Sequence, residues 1–259
     1  MFDEGSGPAI VIVQALQGRW QWMRPFLEAL ARQCRVITYT LAGDFGADRG
    51  IDPGQGFDTY VRQLEEVIDR TGIERTALCG ISFGGTVAVR YAALHPERVT
   101  RLIVASSPGP GWRANDEQAR YISRPLLTLP LFLWTSAWRV GAELRAAFPS
   151  PSERLAFVVR AVATGLRYPA MPWVMARRVR LMQTVDLAAD CGRIAAPTLI
   201  VTGDPSLDHV VPVESTRRYE SHIRDSRYEM MEKTGHSGSL TQPERLARIV
   251  GEFVNASRS

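Results

Sequence analysis

The feature that most constrains the fold is a buried strand that runs directly into a serine flanked by glycines and then into a helix. The strand is predicted over residues 76–79, the turn reads Gly80-Ile81-Ser82-Phe83-Gly84, and a helix of small and apolar residues follows. A turn this tight strains its central residue and leaves no room for bulk two positions before and after it. Glycine meets that demand at both positions. The pattern predicts that the Ser82 hydroxyl projects above a sheet, at a helix N-terminus whose dipole favours negative charge.

Strands alternate with helices along most of the chain. A continuous β-branched run at 9–13 is typical of a strand buried on both faces of a parallel sheet. Further strands are predicted at 35–39, 76–79, 101–105, 198–202 and 228–231. This alternation predicts an α/β fold, with a mainly parallel sheet of about six strands flanked by helices. Residues 112–185 break the alternation with helical patterns, so we expect a core domain of residues 1–111 and 186–259 and an inserted helical unit at 112–185.

Composition argues against several other classes of protein. The chain is 45% hydrophobic and 22% charged with a formal net charge of +4, which is typical of a soluble globular protein. We see no nucleic-acid motif, no signal-peptide pattern and no apolar stretch long enough to span a bilayer. The three cysteines are Cys34, Cys79 and Cys191, without metal-site spacing. We therefore expect a cytoplasmic monomer or homodimer with no metal, no other cofactor and no nucleic-acid partner.

A serine hydroxyl needs an adjacent base to act as a nucleophile at neutral pH. Of the four histidines, His236 lies in a loop between the last predicted strand and the last helix, where a catalytic group is well placed. A carboxylate must then orient the imidazole and stabilise its charged form. Asp208, in the loop after the fifth predicted strand, is the preferred candidate, and Asp204 in the same loop stays an alternative. The predicted catalytic residues are thus Ser82, Asp208 and His236.

With these motifs the chain resembles the α/β-hydrolase superfamily, in its branch of small esterases, lactonases, C–C bond hydrolases and haloperoxidase-like proteins. The resemblance covers almost the whole length and rests on five segments: Gly5-Ser6-Gly7-Pro8, Gly80 to Gly85, His95 to Val99, Asp208 to Pro212, and Gly235-His236 with Gln242-Pro243-Glu244. It implies the α/β-hydrolase fold, the chain order serine, acid, histidine, and a helical cap at 112–185. The family usually begins with two antiparallel strands, for which the residues before Ala9 are too few.

The resemblance also implies an oxyanion hole formed by the backbone N–H groups of Leu16 and Phe83. Next to this predicted oxyanion hole the chain departs from the family, because it has Gln14-Ala15 where the family usually carries His-Gly. Backbone donors survive a change of side chain, and Gln14 could lend an amide donor of its own. Ala15, however, adds a methyl where glycine allows close approach. Loss of one such donor costs about 10²–10³ in rate.

The function that the resemblance implies is a serine hydrolase that cleaves a small carboxylic ester or lactone through an acyl-enzyme on Ser82. One alternative is a C–C bond hydrolase, or a cofactor-free lyase or perhydrolase, that uses the same three residues. Another is a binding protein that kept the fold and lost efficient turnover. The large apolar side chains of 112–185 suit an acyl or aromatic group. We expect the substrate pocket to include Gln14, Trp20, Trp134 and Trp138.

Overall fold

The structure, a computed structural model, describes residues 1–47 and 52–256 and has a seven-stranded sheet at its centre. The strands are β1 (Phe2–Glu4), β2 (Ala9–Val13), β3 (Arg35–Thr38), β4 (Thr76–Ile81), β5 (Val99–Ala105), β6 (Thr198–Thr202) and β7 (Ser226–Met230). Their order across the sheet is β1-β3-β2-β4-β5-β6-β7. Every neighbouring pair is parallel except β1 with β3. The predicted α/β fold with a mainly parallel sheet is confirmed.

The number of strands is a correction, because the described residues form seven rather than about six. The additional strand is β1, which pairs antiparallel with β3 and places Phe2 opposite Thr38. Only the first of its three residues is buried, so β1 is too short to show a two-residue periodicity in the sequence. Arg35 of β3 also donates two hydrogen bonds, of 2.9 and 2.8 Å, to the Asp3 carboxylate. One short antiparallel strand therefore precedes β2, where the prediction had none.

Helices cover both faces of the sheet. The α-helices of the described residues are α1 (Arg24–Leu30), α2 (Asp58–Arg70), α3 (Phe83–Leu94), α4 (Asp116–Ser123), α5 (Leu129–Ala147), α6 (Pro151–Arg167), α7 (Pro172–Met182), α8 (Leu187–Cys191), α9 (Val213–His222), α10 (Gly238–Thr241) and α11 (Pro243–Asn255). Successive residues of β2 alternate between two apolar cores. Val11 and Val13 pack with α2, α3, α8 and α9, whereas Ile10 and Ile12 pack with α1 and α11. Burial on both faces explains the continuous β-branched run.

The parallel strands place their carboxyl ends along one edge of the sheet, where ligands bind in open α/β folds. The segments that carry the predicted functional residues all follow such strand ends. Gln14 follows β2, Ser82 follows β4, the loop of residues 203–212 follows β6, and His236 lies in the loop after β7. The topology therefore gathers residues from distant parts of the sequence at one place.

Residues 112–185 contain four helices, α4 to α7, in agreement with the helical patterns of this stretch. Side-chain capping boxes begin two of them: Asn115 with Gln118 at α4, and Ser150 with Glu153 at α6. The α7 helix buries Val174, Val179 and Met182. Along α5 and α6, by contrast, most large apolar side chains are exposed. The division into a core of 1–111 and 186–259 and a cap of 112–185 stays a prediction, and residues 48–51 and 257–259 of that core lie outside the described residues.

Candidate active site

Ser82 occupies a strained turn between β4 and α3. Its φ of 53° and ψ of −118° lie in a region that side-chain-bearing residues rarely adopt. A Cβ on Gly80 would lie 2.3 Å from the Gly84 carbonyl oxygen, and one on Gly84 would lie 2.1 Å from the Val13 carbonyl oxygen. Both contacts are with backbone, which cannot move aside, so glycine is required at each position. The Ser82 N–H donates to the Ala105 carbonyl over 2.8 Å, which ties the turn to β5.

The structure brings His236 into hydrogen-bonding distance of this serine. His236 Nε2 lies 3.0 Å from Ser82 Oγ. The two residues are 154 positions apart in sequence, and they meet because the loops after β4 and β7 open at the same edge of the sheet. The imidazole is largely enclosed, with 16% of its side chain exposed. This is the geometry that a base needs to accept the hydroxyl proton.

Asp208, and not Asp204, lies on the other side of the imidazole. Asp208 Oδ2 is 3.3 Å from His236 Nδ1. Its second oxygen, Oδ1, accepts hydrogen bonds of 3.0 Å from the N–H groups of Val210 and Val211. Asp204 instead accepts from the Ser206 backbone and hydroxyl, which is the turn-capping role open to it in the sequence. The geometry therefore favours Asp208 as the partner of His236.

Two glycines allow the aspartate and histidine loops to pack against each other. A Cβ on Gly203 would lie 2.3 Å from the Gly235 carbonyl oxygen, and one on Gly235 would lie 2.3 Å from the Leu207 carbonyl oxygen. The Asp204 N–H also donates to the Thr234 carbonyl over 2.7 Å. These backbone contacts fix the separation between Asp208 and His236.

The two side chains shift each other's pKa in opposite directions. Burial alone would raise the pKa of Asp208, but attraction to His236, its hydrogen bond and the two N–H donors lower the pKa overall. Burial alone would lower the pKa of His236, but attraction and hydrogen bonding from Asp208, with a smaller effect of Glu143, raise it overall. The carboxylate therefore stabilises the imidazolium that would form when His236 takes a proton.

An unpredicted residue, Arg178, contacts both of the predicted oxyanion residues, Leu16 and Phe83. Phe83 is the first residue of α3, and the first N–H groups of a helix have no partner within it. Arg178 is fully buried, and its Nη1 donates to the Leu16 carbonyl over 2.7 Å. Its guanidinium also lies 6.0 Å from the centre of the Phe83 ring. It pairs with the buried carboxylate of Asp44 and donates to the Ala42 carbonyl. Arg178 thereby holds the peptide that follows Leu16.

The position of Arg178 had a signal in the sequence. Val174, Arg178 and Met182 recur at four-residue spacing and share one face of α7, and all three are buried. A charged residue within an apolar stripe is often paired inside the protein. Its partner, Asp44, lies far away in sequence and could not be read from the same pattern.

The predicted pocket residues are dispersed. Gln14 is buried and donates through Nε2 to Thr38 Oγ1 over 3.1 Å. Trp20 packs on Phe2, with 5.4 Å between ring centres. Trp134 and Trp138 are 77% and 74% exposed, and Trp138 stacks on His209, next to Asp208. Their assignment to a substrate pocket stays a prediction.

Neither a metal site nor a membrane span is found among the described residues. In residues 1–47 and 52–256, no three His, Cys, Asp or Glu side chains are grouped so that they could hold a metal ion. No helix in the described part of the chain has the length and apolar character needed to cross a bilayer.

The chain belongs to the alpha/beta hydrolase family, whose model matches residues 10–249. The fold agrees with solved structures. The enol-lactonase of Burkholderia xenovorans LB400 superposes with a TM-score of 0.79 at 19% identity, covering 98% of this chain and 95% of that one. At this identity the likeness shows the fold alone. The resemblance that the sequence motifs indicate is confirmed.

Curated relatives of similar length carry different activities in their names. A putative carbamate hydrolase, RutD of Pseudomonas savastanoi pv. phaseolicola, is 25% identical over 98% of this chain and 96% of its own length. The 3-oxoadipate enol-lactonase 1 of Acinetobacter baylyi is 25% identical over 97% and 90%. The 2-hydroxy-6-oxo-2,4-heptadienoate hydrolase of Pseudomonas putida is 26% identical over 99% and 92%. The names of these relatives all describe hydrolases, and they refer to different substrates.

Proposed function

We propose that this protein is a serine hydrolase that cleaves a small carboxylic ester or lactone through an acyl-enzyme on Ser82. One observation carries the proposal. Ser82 Oγ, the His236 imidazole and the Asp208 carboxylate form a continuous hydrogen-bonded series, with distances of 3.0 and 3.3 Å. A hydroxyl, a base and an orienting acid in this order are the requirements for nucleophilic catalysis by serine.

The mechanism follows from the positions of the three groups. Ser82 Oγ attacks the substrate carbonyl carbon while its proton passes to His236 Nε2. The N–H groups of Leu16 and Phe83 would donate to the oxyanion that develops, and Asp208 stabilises the imidazolium. The imidazolium then protonates the departing alkoxide, which leaves as an alcohol, or stays attached to the acyl group when the substrate is a lactone. Water, deprotonated by His236, hydrolyses the acyl-enzyme and regenerates Ser82.

Three free cysteines support a reducing compartment for this enzyme. Cys34, Cys79 and Cys191 are buried and unpaired with one another. Burial raises the pKa of Cys79 and of Cys191 to about 12, so both thiols stay protonated and unreactive at neutral pH. We place the enzyme in the cytoplasm, where such thiols persist.

The proposal is tested by a hydrolysis panel of p-nitrophenyl esters and lactones with the wild type and the Ser82→Ala variant. We expect the wild type to turn over at least one substrate class, and Ser82→Ala to retain less than about one part in 10⁴ of kcat. An unchanged circular dichroism spectrum would show that the variant folds. A control, Ser123→Ala, alters an exposed serine whose hydroxyl donates to the Arg120 carbonyl and should keep full activity. Undiminished turnover by Ser82→Ala would refute the assignment.

A second candidate is C–C bond hydrolysis on the same three residues, and the relative from Pseudomonas putida named as a heptadienoate hydrolase favours it. Turnover of a vinylogous diketone, with none of the esters or lactones, would select this reaction. Labelling of Ser82 by a fluorophosphonate without turnover of any substrate would indicate a protein that kept the fold as a binding module.

A further inference from the structure

A buried carboxylate on α5 contacts the loop that carries His236. All of α5 lies within the described residues, and Glu143 is the one residue of this helix that is buried, with 2% of its surface exposed. Burying an ionised carboxylate is unfavourable unless hydrogen bonds or opposite charge compensate. The burial of Glu143 therefore requires compensating partners, since the apolar side chains of the same helix are not buried.

The partners of Glu143 all come from the segment 234–241. Its Oε1 accepts hydrogen bonds from the hydroxyls of Thr234, over 2.7 Å, and Thr241, over 2.9 Å. The N–H of Ser237 lies 3.2 and 3.3 Å from the two carboxylate oxygens. An ionised carboxylate only accepts hydrogen bonds, and each of these three groups can donate one. The carboxylate is thus enclosed by donors of a single short stretch of chain.

These donors lie on both sides of His236. Thr234 precedes the histidine by two residues, and Ser237 follows it directly. Thr241 is the last residue of α10, which begins two residues after the histidine. The Ser237 N–H belongs to the peptide bond formed with the His236 carbonyl. Asp208 contacts the imidazole ring, whereas Glu143 contacts the backbone and side chains from which that ring projects.

We propose that Glu143 is a positioning residue for His236, through which helix α5 of the predicted cap holds the histidine loop in its reactive geometry. This inference rests on the function proposed above. Charge-assisted hydrogen bonds to a loop on both sides of a base limit the rotation and displacement of that base. A displacement of about 1 Å at a reacting group can cost about 10²-fold in rate. The position of α5 on the core and the orientation of the imidazole are therefore coupled.

Glu143 also acts on the charge of His236. The charged groups that raise the pKa of His236 are Asp208, with the larger effect, and Glu143, with the smaller. On the neighbouring loops, Lys233 and Glu232 are exposed, and Asp204 is engaged with Ser206. Neutralising Glu143 removes an attraction for the imidazolium, so the pKa of His236 should fall. A side chain that only stabilised the fold would leave this pKa unchanged.

The test is the pH dependence of kcat and kcat/KM for wild type, Glu143→Gln and Glu143→Asp, on a substrate whose turnover Ser82→Ala abolishes. We expect Glu143→Gln to lower kcat about tenfold or more, to change KM less than threefold, and to move the acid limb of kcat/KM to lower pH. Glu143→Asp keeps the charge, so its acid limb should stay near that of the wild type while kcat falls less. The control is Glu153→Gln, a carboxylate in the first turn of α6 that accepts a hydrogen bond from the Ser150 N–H and contacts neither α5 nor the His236 loop in the described residues.

The outcomes separate this proposal from the proposed function. If Ser82→Ala keeps its activity, the function fails, whatever Glu143 does. If Ser82 is essential and folded Glu143→Gln matches the wild type in kcat and in the acid limb, the positioning role is refuted. An equal loss in Glu153→Gln would also refute it, because general loosening of the helices would then explain the result. Should Glu143→Gln fail to fold, Thr241→Val removes one donor and keeps the charge. It should lower kcat without moving the acid limb, and full kcat in that variant would contradict the proposal.

Discussion

Replacing Asp208 by asparagine changes one oxygen to an amide NH₂, and the structure determines which way that amide must face. Asp208 Oδ1 accepts hydrogen bonds from two backbone N–H groups, those of Val210 and Val211, each at 3.0 Å. An NH₂ group at that position would oppose two donors. The carbonyl oxygen of the asparagine will therefore take the place of Oδ1, and the NH₂ group will face His236 Nδ1.

This orientation forces the imidazole into the wrong tautomer. An NH₂ group facing Nδ1 requires Nδ1 to be the acceptor, so the ring proton moves to Nε2, which faces Ser82 Oγ at 3.0 Å. A protonated Nε2 cannot accept the serine proton. The same exchange in Ser-His-Asp enzymes costs about 10⁴ in kcat, which corresponds to about 5 kcal/mol of transition-state stabilisation. We expect a loss of this size here, with little change in KM.

The assay is steady-state hydrolysis of the best ester or lactone by Asp208→Asn, compared with Asp204→Asn. Asp204 lies in the same loop, and its carboxylate accepts hydrogen bonds from Ser206 rather than from His236. Asp204→Asn should therefore keep kcat within about threefold of the wild type, because it touches no reacting group. Thermal unfolding should show both variants folded. If Asp208→Asn keeps its activity while Asp204→Asn loses it, the tautomer argument and the choice of acid are both wrong.

Two further predictions follow from buried charges. Asp208 and Glu143 raise the pKa of His236 despite its burial. We therefore expect kcat/KM for a neutral ester to rise with pH through a midpoint above about 6.5, the ordinary pKa of histidine. A midpoint below that value would contradict the electrostatic argument. Burial raises the pKa of Asp44, and the Arg178 cation counteracts this rise. Arg178→Met leaves the Asp44 carboxylate buried without that cation, so we expect the free energy of unfolding, measured in urea, to fall by about 3–5 kcal/mol. Adding Asp44→Asn to that variant should recover part of the loss, and an undiminished Arg178→Met would show that the pair contributes nothing.

The sequence was most informative where local chemistry leaves one structural solution. The β-branched run at 9–13 and the strand at 198–202 have the predicted bounds, because burial on both faces produces a continuous apolar pattern. The serine turn was predictable because Gly80 and Gly84 are required by backbone contacts. The meeting of Ser82, Asp208 and His236 followed from one topological rule, that the carboxyl ends of parallel strands share an edge.

The sequence was least informative where the structure depends on tertiary contacts. Strand β1 has three residues and one buried side chain, which is too little for a pattern. Trp134 and Trp138 are large apolar side chains that are 77% and 74% exposed, and their assignment to a substrate pocket stays a prediction. The choice between helix faces depends on what packs against them, and α5 carries apolar residues on more than one face. The helical patterns of residues 112–185 therefore did not show which side of this helix would be buried.

Glu143 and Arg178 show why the partners of buried charged residues could not be assigned from the sequence. Each is buried on a helix of the predicted cap, and each contacts a loop of the candidate site. Arg178 of α7 donates to the Leu16 carbonyl, and Glu143 of α5 accepts from residues on both sides of His236. Such bonds are directional, unlike apolar packing, which tolerates sliding of one helix over another. Glu143 is the one buried residue of α5, and its hydrogen bonds connect this helix to the histidine loop. We therefore expect that a shift of α5 would alter the geometry of the base, and that a shift of α7 would alter the segment around Leu16, because these directional hydrogen bonds join each helix to one loop of the candidate site.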